Sequence, residues 1–392
     1  MWEKEVYSTV EDVALIMSMT GKSEEESKNL LATNNHDIKE AISYLNNSQE
    51  FVLPPSLFKK LKGFENGKNT CYIDSILFPM FARQDFYDNL LLKPIEAKRL
   101  QTYLRVIVNQ LREGELVSCF SVNRFRNECI VWGWIEGTGQ QDAVEFMLFI
   151  CQILSVSLIS MKEDLFHGGL YNMRDENEAL QQILCLPAIK SVHLQDLMSE
   201  YFFDNIISGV ERQIDIHDST RIKAWKMMKL VGNYSDQIIP IMLKRYVVKN
   251  GELEKTNSRI EIPFELDFSH FITSNLDSTN SHFILQLVGV TVHKGPNMNS
   301  GHYVSYIPEY QQSKLIRWIQ HDDLDQCRVK EVSSLKGMSD LFQTFSTSGY
   351  ILFYKILLLS DSEFESRIGH DFRFATKIQR EFDRFNEKCK IM

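Results

Sequence analysis

The sequence predicts an α+β fold in which a small helical module precedes a larger domain of mixed helices and strands. Three observations support this prediction. Residues 8–46 place apolar side chains at helical spacing between capping signals. A loop rich in Gly and Asn, residues 63–70, runs directly into an apolar helix that begins near Cys71. Residues 301–307 and 315–323 alternate in polarity, as paired strands do.

Composition is that of an ordinary soluble protein. The 392 residues suffice for two or three domains, with 44% hydrophobic and 24% charged side chains. The net charge of −9 disfavours nucleic acid and anionic lipid as partners. The longest apolar run, residues 146–161, is too short and too polar for a transmembrane segment, and the acidic start lacks a secretory signal.

The seven cysteines argue against a disulfide framework and against a zinc site, because their number is odd and no two form C-x-x-C. We therefore expect a reducing, intracellular location in the cytoplasm or the nucleus, with no metal and no cofactor. The cysteines are Cys71, Cys119, Cys129, Cys151, Cys185, Cys327 and Cys389.

The first part of the chain, residues 1–48, reads as three short helices with a core too small for an enzyme. Its helix-start signals are Ser8 with Glu11, Ser23 with Glu26, and Asp37 with Glu40. Residues 30–45 resemble the closing half of a ubiquitin-associated (UBA) domain, whereas residues 19–22 depart from the ubiquitin-binding loop of that family. A UBA domain that binds ubiquitin and a UBA-like scaffold that does not remain alternatives. A Pro-Pro linker follows at residues 49–60.

Cys71 stands where the backbone would activate a thiol. The first turn of a helix presents the positive end of the helix dipole and free N–H groups, and both favour the thiolate. Gly63, Asn66 and Gly67 form a polar approach whose N–H groups would face a substrate carbonyl. A buried structural cysteine is the alternative interpretation.

A cysteine nucleophile needs a histidine, and the histidine needs an acceptor that orients it. A hairpin centred near Gln312 would pair Tyr306 with Trp318, Val304 with Gln320, and His302 with Asp322. In that register Asp322 shares the face of His302, while Asp323 points to the other face. One β-bulge would swap the two carboxylates. The alternative is a surface strand whose His and Asp are only solvated.

Six motifs occur in order between about residues 61 and 356, the predicted main domain. They are GFENGKNTCYIDS (63–75), QQDAVEF (140–146), IPIMLKRY (239–246), IPFELD (262–267), the set VHKG, GHY and WIQHDD (292–323), and GYILFY (349–354). Together they resemble the boxes of the ubiquitin-specific protease (USP) family of deubiquitinases.

The resemblance implies a papain-like cysteine protease of USP type that hydrolyses isopeptide bonds, and peptide bonds as a further option, at the C-terminal glycine of ubiquitin. Cys71 would be the nucleophile and His302 the base. Asp322 would fix the imidazole, with Asp323 as the alternate, and Asn66 would supply the oxyanion hole. A ubiquitin-binding pseudo-protease and a protease for another ubiquitin-like modifier are the alternatives.

The resemblance also implies partners, namely ubiquitin and ubiquitinated proteins. Gln141, Asp142, Glu145 and Gly301 match positions that hold the extended ubiquitin tail, whose arginines suit carboxylates. Helix capping for Asp142 and a solvated helix face for Glu145 are the alternatives.

The chain departs from the family pattern near the cysteine. Lys68 replaces a Gly and would either lower the pKa of Cys71 or crowd the oxyanion loop. Asp74 and Phe78 replace a usual Asn and Gln, and His321 stands where a Phe is common. Residues 203–235, in the region of the family's fingers, lack the two C-x-x-C pairs of its structural zinc site.

The charged tail, residues 357–392, ends in Cys-Lys-Ile-Met. This fits C-a-a-X and would permit farnesylation of Cys389, with weak membrane association as the consequence. An unmodified thiol is the alternative.

Overall fold

The computed structural model describes residues 12–14, 16–17, 23–33, 41, 61–83, 87–137, 139–166, 174–203, 205–215, 218–232, 237–249, 251–273, 281–295, 301–311 and 314–368. The capping signals at Ser8 and Asp37, the linker at residues 49–60 and the prenylation candidate Cys389 lie outside these ranges. Within the described part of the chain, no helix has both the length and the apolar character needed to cross a membrane.

Helices concentrate in the first half of the described chain. They are α1 (Glu24–Thr33), α2 (Cys71–Phe81), α3 (Asp88–Leu92), α4 (Lys98–Arg112), α5 (Cys119–Val131), α6 (Ala143–Ile153), α7 (Leu194–Phe203), α8 (Leu335–Ser348) and α9 (Asp361–Ile368).

Strands follow α6. They are β1 (Ile159–Phe166), β2 (Arg174–Gln181), β3 (Leu184–Pro187), β4 (Val192–His193), β5 (Asn205–Asp215), β6 (Asp218–Val231), β7 (Ile238–Lys244), β8 (Tyr246–Lys249), β9 (Glu252–Lys255), β10 (Ile260–Glu261), β11 (Glu265–Asp267), β12 (Ile272–Thr273), β13 (Ser281–Lys294), β14 (His302–Gln311), β15 (Lys314–His321), β16 (Val329–Val332) and β17 (Gly349–Ser360).

The chain divides into two compact units. The first comprises residues 1–156 and 298–332, and the second comprises residues 157–297 and 333–392. In the first unit α2 packs against α6 and against β14, which forms an antiparallel ladder with β15 and β16. Every residue of α2 is buried. An apolar helix enclosed on all sides is a rigid base for the residue at its start.

The predicted β14–β15 hairpin exists, but its predicted register is wrong by two residues. Tyr306 lies opposite Gln320 rather than Trp318, and Trp318 lies opposite Pro308. One cause is a β-bulge next to Glu309, where Ile316 is an extra residue on β15. Because the shift is even, side chains keep their predicted face.

The second unit is mainly β-sheet. β13 pairs with β17 and β11, and β17 pairs with β7, all antiparallel, while β3 joins β7 in parallel. A second sheet contains β5, β6, β1 and β2 as antiparallel neighbours, with β12 parallel to β6. At the end of α7, the buried rings of Phe202 and Phe203 pack against those of Phe268 and Phe271. β17 continues to Ser360, four residues past the predicted end of the main domain at 356.

Near the N-terminus, α1 begins with the predicted capping box. The Ser23 N–H donates to Glu26 Oε2 at 2.8 Å, and the Glu26 N–H donates to Ser23 Oγ at 3.3 Å. Asp12 forms an ion pair of 2.8 Å with Arg124 of α5. These contacts lie within the first unit.

Candidate active site

Cys71 is the first residue of α2 and is only 7% exposed. Its thiol is hydrogen-bonded by backbone groups of Tyr303 and Tyr72. Since Tyr303 directly follows His302, this contact brings the sulfur to the start of the strand that carries the histidine. The Cys71 thiol therefore lies beside the residue that follows His302, the predicted base.

The resting state of Cys71 differs from the sequence-based expectation of a thiolate. Burial raises the pKa of the thiol to about 12, and the charge of Asp323 raises it further, whereas the backbone hydrogen bonds act in the opposite direction. The cost of removing water from a thiolate thus outweighs the stabilisation that the helix start offers it. The thiolate must therefore form by proton transfer to a neighbouring base.

His302 lies against both predicted carboxylates. Its Nε2 lies 2.7 Å from Asp322 Oδ1 and 3.6 Å from Asp323 Oδ1. A neutral imidazole that donates from Nε2 accepts at Nδ1, so the nitrogen that remains can take the thiol proton. Asp322 is thus the nearer of the two predicted carboxylates. Its Oδ1 also accepts from the N–H of Leu324 at 3.3 Å.

Asn66 lies beside the second carboxylate. Its Nδ2 donates to Asp323 Oδ2 at 2.5 Å, and its Oδ1 accepts from the N–H of Lys68 at 2.9 Å. An amide nitrogen carries two hydrogens, so one donor remains for a developing oxyanion. Asp323, buried at 4% exposure, therefore links the candidate oxyanion donor to the histidine.

The loop before the cysteine takes a left-handed turn. Lys68 has φ of 68° and Asn69 has φ of 57°, a conformation that favours glycine. The side chain of Lys68 is exposed, and its carbonyl accepts from Arg126 at 3.0 Å. Lys68 is not among the groups that shift the pKa of Cys71, so the predicted lowering is not seen, and crowding of the oxyanion loop stays a prediction.

The glutamine motif positions the other side of the site, partly through a residue that sequence reasoning missed. Gln140 Nε2 donates to the Gly301 carbonyl at 3.1 Å, and Gln140 Oε1 accepts from the Gly301 N–H at 3.3 Å. The amide side chain thus binds both the N–H and the C=O of one residue, so Gln140 holds the residue before His302 in place. The neighbouring Gln141, which the sequence favoured instead, is half-buried.

Asp142 caps α6, which is the structural alternative given for it. Its Oδ1 accepts from the N–H groups of Val144 and Glu145 at 2.8 and 3.0 Å, and its Oδ2 accepts from the Tyr303 hydroxyl at 3.1 Å. The Glu145 side chain is exposed on the first turn. A role of these carboxylates toward a bound tail stays a prediction.

His321 was noted only as a departure from the family pattern, yet it is fully buried beside the site. Its Nε2 accepts the Phe64 N–H at 3.1 Å, and its ring stacks on Phe78 at 4.8 Å. A Cβ on Gly63 would meet the His321 ring at 2.5 Å, so only glycine fits there. Burial lowers the pKa of His321 to about 3, which keeps the ring neutral.

His302, Asp322 and Asp323 also bring one nitrogen and two carboxylate oxygens within 4.8 Å of one another, a spacing that a metal ion would accept. The same atoms are directed at hydrogen-bond partners within the site. Hydrogen bonding accounts for the arrangement, and we assign it to acid–base chemistry.

Comparison with known proteins agrees with this geometry. A family model described as ubiquitin carboxyl-terminal hydrolase matches residues 62–354. Ubiquitin carboxyl-terminal hydrolase 12 of Salmo salar is 23% identical over 341 residues, which is 75% of this chain and 89% of the relative. Ubiquitin carboxyl-terminal hydrolase 4 of Arabidopsis thaliana is 24% identical over 356 residues, which is 75% of this chain and 93% of the relative.

Solved structures share the fold. The SAGA Ubp8/Sgf11/Sus1/Sgf73 DUB module bound to ubiquitin aldehyde gives a TM-score of 0.59 at 19% identity, covering 81% of this chain and 75% of that chain. A variant of this module bound to monoubiquitin gives 0.60 over the same shares, also at 19% identity. The predicted α+β fold of USP type is therefore confirmed, apart from the UBA-like part, most of which lies outside the described residues. With the family model covering most of its length, the chain belongs to the ubiquitin carboxyl-terminal hydrolase family.

Proposed function

We propose that this protein is a cysteine-type deubiquitinase that hydrolyses the isopeptide bond between the C-terminal glycine of ubiquitin and a lysine amine. The observation that carries the proposal is the 2.7 Å contact of His302 with Asp322. The residue after His302 on the same strand, Tyr303, hydrogen-bonds the Cys71 thiol through its backbone. Family membership supports the same chemistry, and the similar solved structures bound to ubiquitin aldehyde and to monoubiquitin support ubiquitin as the partner.

The first half-reaction uses three of these groups. His302 Nδ1 takes the proton of Cys71 as the sulfur attacks the glycine carbonyl carbon. The carbonyl oxygen becomes an oxyanion and accepts a hydrogen bond from Asn66 Nδ2. When the intermediate collapses, the C–N bond breaks, and His302 returns its proton to the leaving lysine amine. The product is a thioester between Cys71 and the ubiquitin glycine.

The second half-reaction releases ubiquitin. His302, now neutral, takes a proton from a water molecule that attacks the thioester carbonyl. The C–S bond breaks, the proton passes from His302 to the Cys71 sulfur, and the glycine leaves as a carboxylic acid, which then loses its proton to the solvent. Throughout the cycle, Asp322 holds the imidazole with Nε2 protonated and stabilises the imidazolium that forms twice.

Gly301, Gln141, Asp142 and Glu145 form the proposed tail-binding set. Gly301 lies directly before His302, and Glu145 presents an exposed carboxylate at the start of α6. Arginines on the ubiquitin tail would be attracted to these acids, while a glycine at the scissile bond needs no room for a side chain.

The decisive experiment uses ubiquitin whose C-terminus carries an electrophile. We expect one covalent adduct on the folded protein, mapped to Cys71 by peptide mass spectrometry, and none with Cys71→Ala. Cys129→Ala, which removes another buried thiol, is the matched control and should label normally. Absence of an adduct with the folded wild-type protein would contradict the proposal.

Two further arms separate the alternatives. Binding of ubiquitin without cleavage of any conjugate would indicate a pseudo-protease. A panel of other ubiquitin-like modifiers bearing the same electrophile identifies the preferred modifier, and we expect ubiquitin to react fastest.

A further inference from the structure

Asp74 is a buried carboxyl group that the proposed reaction leaves without a role. It lies one helical turn after Cys71 in α2 and is fully buried. The Thr70 hydroxyl donates to its Oδ2 at 2.9 Å. The Asp323 carboxyl lies close enough to act on Asp74, and Oδ1 of each of the two carboxyls is buried with no other hydrogen-bond partner among the described residues. Two carboxyl groups can share a hydrogen bond only when one of them carries a proton.

The surroundings decide which carboxyl holds this proton. Asp323 receives a hydrogen bond from Asn66 at 2.5 Å and lies 3.6 Å from His302 Nε2, and both favour its charged form. The negative charge of Asp322 acts in the opposite direction and raises the pKa of Asp323. Burial raises the pKa of both carboxyls, and it raises that of Asp74 well above the usual range.

The other groups that face Asp74 do not reverse this assignment. On its own helix these are Cys71 and Tyr72, which are neutral when protonated. Arg126 of α5 favours an ionised Asp74, but this attraction is weaker than the combined effects of burial and of Asp323.

We propose that Asp74 is held as the neutral acid and donates its O–H to Asp323, so that Asp74 is a positioning residue for the active site. Asp74 holds Asp323 in place through this hydrogen bond. Asp323 in turn accepts from the Asn66 amide and lies 3.6 Å from His302 Nε2. This inference rests on the proposed function, because its role is to orient the oxyanion donor of that reaction.

The arrangement makes the site sensitive to alkaline pH. Loss of the Asp74 proton would set two carboxylates face to face, which costs far more in a buried site than in water. Asp323 would move away and Asn66 would lose its anchor. The expected consequence is a fall in kcat with KM little changed, because the oxyanion forms only during the reaction.

Kinetics of two variants test this role, with fluorogenic cleavage of a ubiquitin C-terminal amide measured from neutral to alkaline pH. Asp74→Ala removes the donor and should lower kcat by about tenfold to a hundredfold. Asp74→Asn supplies a donor that does not titrate, so it should restore kcat at neutral pH and move or abolish the alkaline fall. Asp340→Asn, at an exposed site in α8, should follow the wild type. Superimposable profiles for wild type and Asp74→Asn would overturn the positioning role.

Infrared difference spectroscopy tests the proton itself and does not depend on activity. Wild type labelled with ¹³C-aspartate, compared with Asp74→Asn at neutral pH, should show the C=O stretch of one protonated carboxylic acid. Absence of that band would overturn the inference even in an active enzyme. Its presence in a protein that fails to react with the ubiquitin probe would uphold the protonated Asp74 while contradicting the proposed function.

Discussion

The backbone N–H of Phe64 donates a hydrogen bond of 3.1 Å to Nε2 of His321, although 257 positions separate the two residues in the chain. The first residue belongs to the loop that carries Asn66. The second ends the strand that leads into Asp322 and Asp323. A single neutral imidazole therefore links the loop that carries Asn66 to the strand that precedes the two carboxylates.

His321→Phe should keep the ring packing and remove the acceptor. The buried Phe64 N–H is then unsatisfied, and we expect a loss of about 1–3 kcal/mol in the free energy of unfolding at neutral pH. Urea denaturation measures this change. His193→Phe, at a histidine whose side chain is 60% exposed, is the control and should have little effect.

Acid should destabilise the wild type through the same residue. Burial lowers the pKa of His321 to about 3 in the folded protein. Below about pH 6.5, the unfolded chain therefore binds a proton at His321 that the folded protein does not bind. The stabilisation from His321 is complete above pH about 6.5 and is lost as the pH falls toward about 3. Unfolding midpoints of His321→Phe should depend less on pH in this window. Parallel curves for the two proteins would contradict the argument.

Alkylation of Cys71 by iodoacetamide should report a thiol rather than a resting thiolate. Because burial raises its pKa to about 12, the alkylation rate should still be rising above pH about 9. Quantitative peptide mass spectrometry separates Cys71 from the exposed Cys185 and Cys327. A rate that reaches a plateau near neutral pH would show that a thiolate persists at rest.

Asn66→Ala should lower kcat by about 10²–10³ while KM changes little, because its amide contacts the oxygen only as charge develops. Steady-state cleavage of the fluorogenic ubiquitin amide measures both constants. Asn127→Ala, at an exposed position of α5, is the matched control. A loss confined to KM would assign Asn66 to substrate binding instead.

Lys68→Gly should relieve the left-handed backbone at φ 68° and raise the free energy of unfolding by up to about 1 kcal/mol. Lys68→Ala separates conformation from charge, since it removes the ammonium but keeps a Cβ. We expect no gain in stability from Ala. Equal gains from Gly and Ala in urea denaturation would assign the effect to charge.

Local patterns predicted the parts of the site that depend on short stretches of chain. The polar loop before Cys71 indicated a helix start there, and α2 begins at that residue. The alternation around His302 placed it on a strand, and it put Asp322 on the correct face because the register error was even.

The features of the fold and of the site that the sequence did not predict depend on packing between distant segments of the chain. The extra residue Ile316 on β15 leaves no periodic signal, so the hairpin register was wrong. The helix start at Cys71 suggested a thiolate, whereas the enclosing chain removes the water that a thiolate needs. Asp74 and His321 looked like isolated departures in the sequence. Their partners Asp323 and Phe64 lie about 250 positions away, and only the fold brings them together.

The length of β17 determines where a shortened form of the protein can end. Its last four residues pair with the first four of β13, from Leu357 opposite Ile284 to Ser360 opposite Ser281. A chain cut at residue 356 would leave that edge of β13 with open N–H and C=O groups, and it would remove the buried Leu359. Truncated versions that stop at Ser360 or later should keep the oligomeric state of the full chain, whereas shorter ones should self-associate through the exposed edge of β13.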